Sequence, residues 1–301
     1  MARRRKGLDI HGWLVLDKAV GPTSTDMVNK TRWLLQAKKA GHTGTLDPLA
    51  SGILPIAFGE ATKCVNLLMD AEKVYEFTVC WGSETATDDA EGEILASSDL
   101  RPGAEAIAAA LPRFTGLVWQ APPSYSAIKV NGARAYDLAR DGAPPDLPER
   151  QVEIHELEMT GQPDGDHAEF RMFCGKGTYV RSLARDLGRV LGCRGHVSRL
   201  RRTAVGPFGE TQAISLAEFE SLCDKRAGHE ALLPVETALD DIPALALTGE
   251  QANRIRNGQP VRVLNFTSPD DQTVCVMHDR KPVALARYRQ EMVEPVRVFN
   301  L

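Results

Sequence analysis

The stretch from Gly41 to Lys63, GHTGTLDPLASGILPIAFGEATK, constrains this chain more than any other. Gly41, Gly44 and Gly52 punctuate it, and such glycines suit left-handed turns or close approach of backbone to a ligand. Asp47 precedes Pro48, which pushes its backbone out of the α region toward an extended one. Its carboxylate therefore belongs on a loop. The run Ile53-Leu54-Pro55-Ile56-Ala57-Phe58 is too apolar for a surface loop and too short for a membrane span. The expected arrangement is a polar loop carrying one acid, anchored by a buried run. Function often sits on loops held this way, although a lone aspartate before proline is ordinarily a turn former.

A chain of 301 residues accommodates one large domain or two. The net charge of −4 does not advertise a nucleic-acid binder, so any RNA-facing charge must be local. Six cysteines form no CxxC pair, which argues against a zinc ribbon or a redox couple and for reduced thiols in the cytoplasm. Residues 1–9 are basic and read as a mobile tail, either solubilising or touching phosphates. The apolar segment after it, Trp13 to Leu16, is too short for an export signal. No run reaches membrane length.

Along the chain, Gly12–Lys18 reads as a buried strand, and Gly21-Pro22-Thr23-Ser24 as a turn that caps a helix over about 26–38. A second helix is expected over 60–70. Tyr75, Phe77, Val79 and Trp81 then alternate along one face of a strand. Tyr75 on its own reads as a core aromatic. A short helix over 103–111 precedes a segment with Lys129, Arg134, Tyr136 and Arg140, a mix suited to gripping RNA. Strands near 152–159 and 167–174 lead to Gly175–Arg181, which opens a helix with apolar residues at helical spacing from Val180 to Leu191. Arg181 stands in the first turn, where a cation is mildly unfavourable and calls for an acidic partner; Asp47 is the candidate. Arg199, Arg201 and Arg202 belong to the densest basic cluster after the N-terminus and are expected to face phosphates rather than simply solvent. Pro234 to Pro243 looks like a boundary, followed by a helix near 248–257 and two or three strands.

Taken together, these strings resemble the TruB-type tRNA pseudouridine synthases. The G-H-x-G-x-L-D-P-x-A-x-G motif is carried by Gly41 through Gly52, K-x-Y by Lys73 and Tyr75, and K-G-T-Y-x-R by Lys176 through Arg181. L-R-R-T is carried by Leu200 through Thr203, and P-x-x-Y-S-A-x-K by Pro122 through Lys129. In K-P-x-G-x-T-S, Ala19 replaces the usual proline after Lys18. The resemblance implies an α/β (α+β) fold with a mixed, mainly antiparallel sheet flanked by helices, and a small C-terminal PUA-like β-rich domain. It divides the chain into a catalytic domain at 10–240, with an RNA-gripping insertion around 124–150, and an RNA-binding domain at 241–301.

The implied reaction is isomerisation of uridine 55 to pseudouridine in the TΨC arm of tRNA, by a monomer without cofactor or metal. The resemblance makes Asp47 the nucleophile, toward either C1′ of the sugar or C6 of the ring. Arg181 would keep it charged and aimed, Tyr75 would stack on the flipped base, and His42 would support the displaced RNA. Tyr179 and Leu200 would line the pocket, and Lys18, in a supporting role, would join them in binding the substrate. Three other readings stand beside this one: the same chemistry on another RNA, a non-catalytic tRNA-folding chaperone, and a carboxylate hydrolase. The hydrolase needs a second positioned acid, for which Asp89 is the candidate.

Overall fold

The computed structural model describes residues 7–301 except Ala127, Asn131, Pro144, Asn265, Thr267 and the side chain of Arg134. The arginines of the expected N-terminal tail lie outside the described residues.

The fold is built on a ten-stranded mixed sheet. Along its main path the order is Ile214–Ser215, Gly12–Lys18, Ala50–Phe58, Gly195–Val205, Lys73–Trp81, His167–Cys174, Arg150–Gly161 and Gly116–Gln120. Two of these pairings are parallel, Gly12–Lys18 with Ile214–Ser215 and Gly195–Val205 with Ala50–Phe58; the rest are antiparallel. The Ala50–Phe58 strand is buried at all but one of its nine positions, as its apolar composition requires. One face of the sheet packs on the Val180–Val190 helix through Phe77, Val79, Phe170, Leu183 and Leu187. Behind the other face, Trp13, Ile53 and Phe208 meet Cys275, Leu285 and Phe299 of the C-terminal region.

The first helix runs Ser24–Leu34 and is held by a capping box, Thr23 accepting from the Asp26 N–H while the Asp26 carboxylate accepts from Thr23. It ends earlier than its composition suggests, because Gln36 turns into the left-handed region at φ 50°. The expected helix over 60–70 splits into a 3₁₀ turn at Gly59–Lys63 and an α-helix at Val65–Asp70.

The C-terminal region is a second sheet of five strands, more than the two or three expected, with its own core around Leu245, Ile255, Val276 and Val293. The added strands are Ala244–Ala246 and Met292–Val298. Pro295 lies in the latter, and pairing slips by one residue beside it, a disruption consistent with the missing N–H. This sheet is fastened to the 3₁₀ turn that follows Phe58: Lys63 Nζ donates to the Val298 carbonyl at 2.6 Å, and Asn300 N donates to the Glu60 carboxylate at 2.8 Å. No helix among the described residues is long and apolar enough to cross a membrane.

Candidate active site

The Asp47 loop is held from beneath by two buried cations and one hydroxyl. Lys18 Nζ donates to the carbonyls of Ala19, Pro48 and Ala50 at 2.9, 3.4 and 2.7 Å. Arg202 donates from Nε to Ile53 O at 2.8 Å and from Nη2 to Gly44 O at 3.1 Å. The Ser24 hydroxyl both donates to Leu46 O and accepts from Leu46 N, at 3.0 and 2.8 Å. Loop carbonyls buried without donors are costly, so these side chains specify the loop's conformation.

The Lys18, Gly52, Arg202 and Tyr75 positions form one row across four neighbouring strands. Gly52 is obligatory in that row. Its φ is +101°, and a Cβ there would stand 2.2 Å from the Arg202 carbonyl oxygen.

Over the loop lies the first turn of the Val180–Val190 helix. Arg181 Nε stands 2.9 Å from Asp47 Oδ2. The same guanidinium donates to the carbonyls of Thr87 at 2.8 Å and Tyr125 at 2.9 Å, and lies 3.6 Å from Asp89 Oδ2. The cation disfavoured at a helix start thus gains two carboxylates and two carbonyls. Arg181 is 5% exposed in its side chain, whereas Asp47 keeps 35% and remains open to a ligand.

Arg185 and Arg189 continue the same helix face at four-residue spacing. Arg185 pairs with Asp88 at 2.9 Å, and Arg189 pairs with Glu84. Asp88 sits in the left-handed region at φ 59°. Burial pushes its carboxyl up to about 6, against the pull of Arg185 and Arg181. The ladder fixes the acidic turn 84–89, which in turn supplies Thr87 O and Asp89 to Arg181.

Asp89 is nearly fully buried. Its Oδ1 accepts from the Thr87 hydroxyl and from Glu91 N, and its Oδ2 faces Arg181. It therefore serves as a structural acid and cannot present the second carboxylate a hydrolase requires. Among the described residues, no three His, Cys, Asp or Glu side chains gather as metal ligands would.

The other expected residues fall into three groups. The first group is buried or half-buried. Tyr75 is half-buried beside Arg202, and burial raises its phenol pKa while the Arg202 charge opposes the rise. His42 is half-buried, and its Nδ1 accepts from Gly44 N at 3.3 Å. Burial, with the Arg202 charge, lowers its pKa, so the ring is neutral at pH 7. Tyr179 caps the helix start; Gln120 clamps it by accepting from its N–H at 2.8 Å and donating to its carbonyl at 3.1 Å, and Arg150 lies 5.0 Å over its ring. Leu200 is 6% exposed, opposite Ala50 and Phe77.

The second group is exposed. Lys129, Arg140 and Arg199 face solvent, with Arg140 stacked on Tyr136 at 4.6 Å and Tyr136 edge-on to Tyr125. The side chain of Arg134 lies outside the described residues.

The third group corrects the sequence reading. Lys18 has no exposed surface and Arg202 only 2%. Neither is placed to touch a substrate or a phosphate, because both are spent on loop carbonyls. Arg201 grips Asp17 through two bonds of 3.0 and 2.9 Å and also pairs with Glu210 at 2.6 Å, so its charge is largely committed within the protein. Side-chain alternation carried the signal for Arg202: Leu200 and Arg202 share a strand face, so a Leu200 turned toward the pocket puts Arg202 beneath the same site. The roles of Ser24, Gln120 and Arg185 carried no comparable signal, since each depends on contacts more than twenty residues away in sequence.

Comparison with known proteins agrees with this architecture. Residues 32–180 match the model of the TruB family pseudouridylate synthase N-terminal domain, and residues 181–240 match the tRNA pseudouridylate synthase B C-terminal domain. A tRNA pseudouridine synthase B of Bradyrhizobium diazoefficiens is 57% identical over 304 residues, 99% of this chain and 88% of that one. The protein of the same name from Caulobacter vibrioides is 53% identical over 309 residues, the full length of both. This chain belongs to the TruB family.

Solved structures place the TruB-family chain in a wider fold group. A chain of a Cbf5–Nop10–Gar1 complex superposes with a TM-score of 0.76 at 26% identity, over 96% of this chain and 84% of that one. A chain of an H/ACA RNP bound to a substrate RNA containing 2′-deoxyuridine gives 0.77 at 24% identity, over 100% and 92%, which speaks to the fold alone. The mixed sheet of the TruB-family catalytic region and its small PUA-like C-terminal sheet are both within these matches.

Proposed function

We propose that this chain converts uridine to pseudouridine in tRNA, at position 55 of the T arm, with Asp47 as the nucleophile. The observation that carries the reading is the 2.9 Å pair between Arg181 and a partly open Asp47 on a loop braced by Lys18, Arg202 and Ser24. With 35% of its side chain exposed, the carboxylate is open to a substrate while Arg181 aims it.

The target uridine must leave its stack, at a cost of a few kcal/mol. Tyr75 receives the flipped ring, Leu200 and Tyr179 close around it, and neutral His42 stands beside the displaced RNA. Asp47 forms a bond to C1′ or to C6 while the glycosidic C1′–N1 bond breaks. The uracil turns, C5 bonds to C1′, the bond to Asp47 breaks, and the C5 proton is lost to a base. The electrons of the departing C5–H bond restore the ring, so no oxidant enters.

Lys129, Arg134, Arg140 and Arg199 are the cations we assign to RNA phosphates, the first three on the 124–150 insertion. Residues 10–240 then form the catalytic domain, and the sheet within 241–301 supplies a further RNA surface. A single chain furnishes all the site groups, which supports a monomer as the working unit, acting where tRNA is found, in the cytoplasm.

The deciding experiment measures tritium release from a tRNA transcript labelled at uracil C5, with the wild type and Asp47→Asn. Release from position 55 by the wild type alone is expected. No release by either protein, with tight tRNA binding kept, would replace the enzyme by a chaperone.

A further inference from the structure

We infer that Arg202 is a positioning residue for the isomerisation, a single guanidinium that sets the Asp47 loop and Tyr75 in register with each other. This rests on the reading of Asp47 and Tyr75 as reacting and stacking groups. Its own support is geometric.

Arg202 sits opposite Gly52 on one neighbouring strand and opposite Tyr75 on the other. From that central position its side chain donates to Gly44 O and Ile53 O, at 3.1 and 2.8 Å. Those two carbonyls bracket Asp47, three residues before it and six after. A planar guanidinium has a fixed fork of donors and can hold two carbonyls at a defined separation. An ammonium in the same place is a point donor on a flexible stem and cannot reproduce that spacing. On its other side Arg202 stands directly across from Tyr75 on the neighbouring strand, and its charge also bears on Tyr75 and His42. One side chain is therefore shared by the loop of the nucleophile and the ring that receives the base.

The absence of a side chain at Gly52 is part of the same device. It lets the nucleophile's strand approach the Arg202 backbone so closely that a Cβ would overlap it. Lys18 braces the same loop from the opposite side of Gly52, but bonds only to carbonyls and has no link to the Tyr75 strand. Arg202 is the member of the row that bonds the Asp47 loop and stands next to Tyr75.

The test compares wild type, Arg202→Met and Arg202→Lys by single-turnover tritium release, by equilibrium binding of tRNA, and by release in the presence of low-millimolar guanidinium chloride against equal sodium chloride. Arg202→Met is expected to lose about 100-fold in rate, the scale of a misplacement of about 1 Å, while tRNA affinity stays within about 3-fold because the residue reaches no phosphate. Guanidinium, and not sodium, restores part of the rate; a loss of fold stability alone would not be reversed by that ion. Arg202→Lys, which keeps the charge and should fold even where Arg202→Met does not, loses about 10-fold or more for want of the fork.

A folded Arg202→Met with a wild-type rate overturns the inference. So does a loss of affinity equal to the loss of rate, or, if only the lysine variant folds, a wild-type rate from it. A wild type that releases no tritium overturns the proposed function itself, and the role with it.

Discussion

Replacing Arg181 by methionine separates catalysis from binding, because the residue is buried. Its side chain is 5% exposed, and its guanidinium is taken up by Asp47, Asp89, Thr87 O and Tyr125 O. Methionine keeps most of the volume and none of the donors. Asp89, 4% exposed in its side chain, is then left as a buried carboxylate without a counter-charge. Breaking such a pair from one side costs about 3–5 kcal/mol, which lowers the melting temperature by roughly 10 °C in a chain of this size. A protein with the usual stability of about 5–15 kcal/mol remains folded at 25 °C in most of that range.

The chemical step suffers separately. Asp47 loses the group that orients it, and removing one preorganised electrostatic partner costs about 10²–10³ in rate. Affinity for tRNA should stay within about 3-fold, and the dependence of binding on salt should keep its slope, because no phosphate contact is lost. Filter binding over a salt series and single-turnover tritium release on the same preparation supply both numbers. A salt slope lower by about one, with affinity falling in step with rate, would make Arg181 a phosphate ligand and refute the reasoning.

Three further outcomes follow from the same contacts. Gly52→Ala forces a side chain onto φ +101° and a Cβ to 2.2 Å from a backbone oxygen, so it should cost about 2–4 kcal/mol in urea unfolding, from strain and overpacking together. Arg199→Ala should lower the salt slope of tRNA binding by about one, whereas Arg201→Ala should leave it nearly unchanged because Asp17 and Glu210 already hold that charge. Burial pulls Lys18 down from 10.5 to about 8, so between those values the unfolded chain holds the extra proton. Stability should therefore rise with pH across that window, with the penalty fully present below about 8. Urea midpoints of Lys18→Met should show a shallower rise, the remainder coming from Lys73, also near 8.

The strands and loops of the site were legible where local chemistry decides them. Asp47-Pro48 had to be extended, the apolar run behind it had to be buried, and Thr23 with Asp26 announced a helix start. Arg181 beside Asp47 was foreseeable because a helix N-terminus disfavours a lone cation. What stayed hidden depends on strand order. Nothing local says that Gly195–Val205 lies between the strand that follows Asp47 and that of Tyr75. Without that placement the arginine pair at 201 and 202 reads as one basic patch, when the pleat sends one residue to an outer ion pair and the other beneath the site. The C-terminal strand Met292–Val298 was missed for a different reason: its Glu294, Pro295 and Arg297 mask its alternation, and pairing on both sides compensates.

The strand Ala50–Phe58 has its two ends in different employment. One end leads out of the Asp47 loop, and the other runs into the turn where Glu60 and Lys63 grip the last residues of the chain. Nine residues at about 3.3 Å each make a bar of roughly 26 Å between the outermost Cα atoms. The strand is walled in by neighbours along its length, so the bar cannot bend without opening the core. The PUA-like sheet and the Asp47 carboxylate therefore stand at the two ends of a rigid gauge. If an RNA engages both ends, as the proposed function has it, its dimensions are read along that strand.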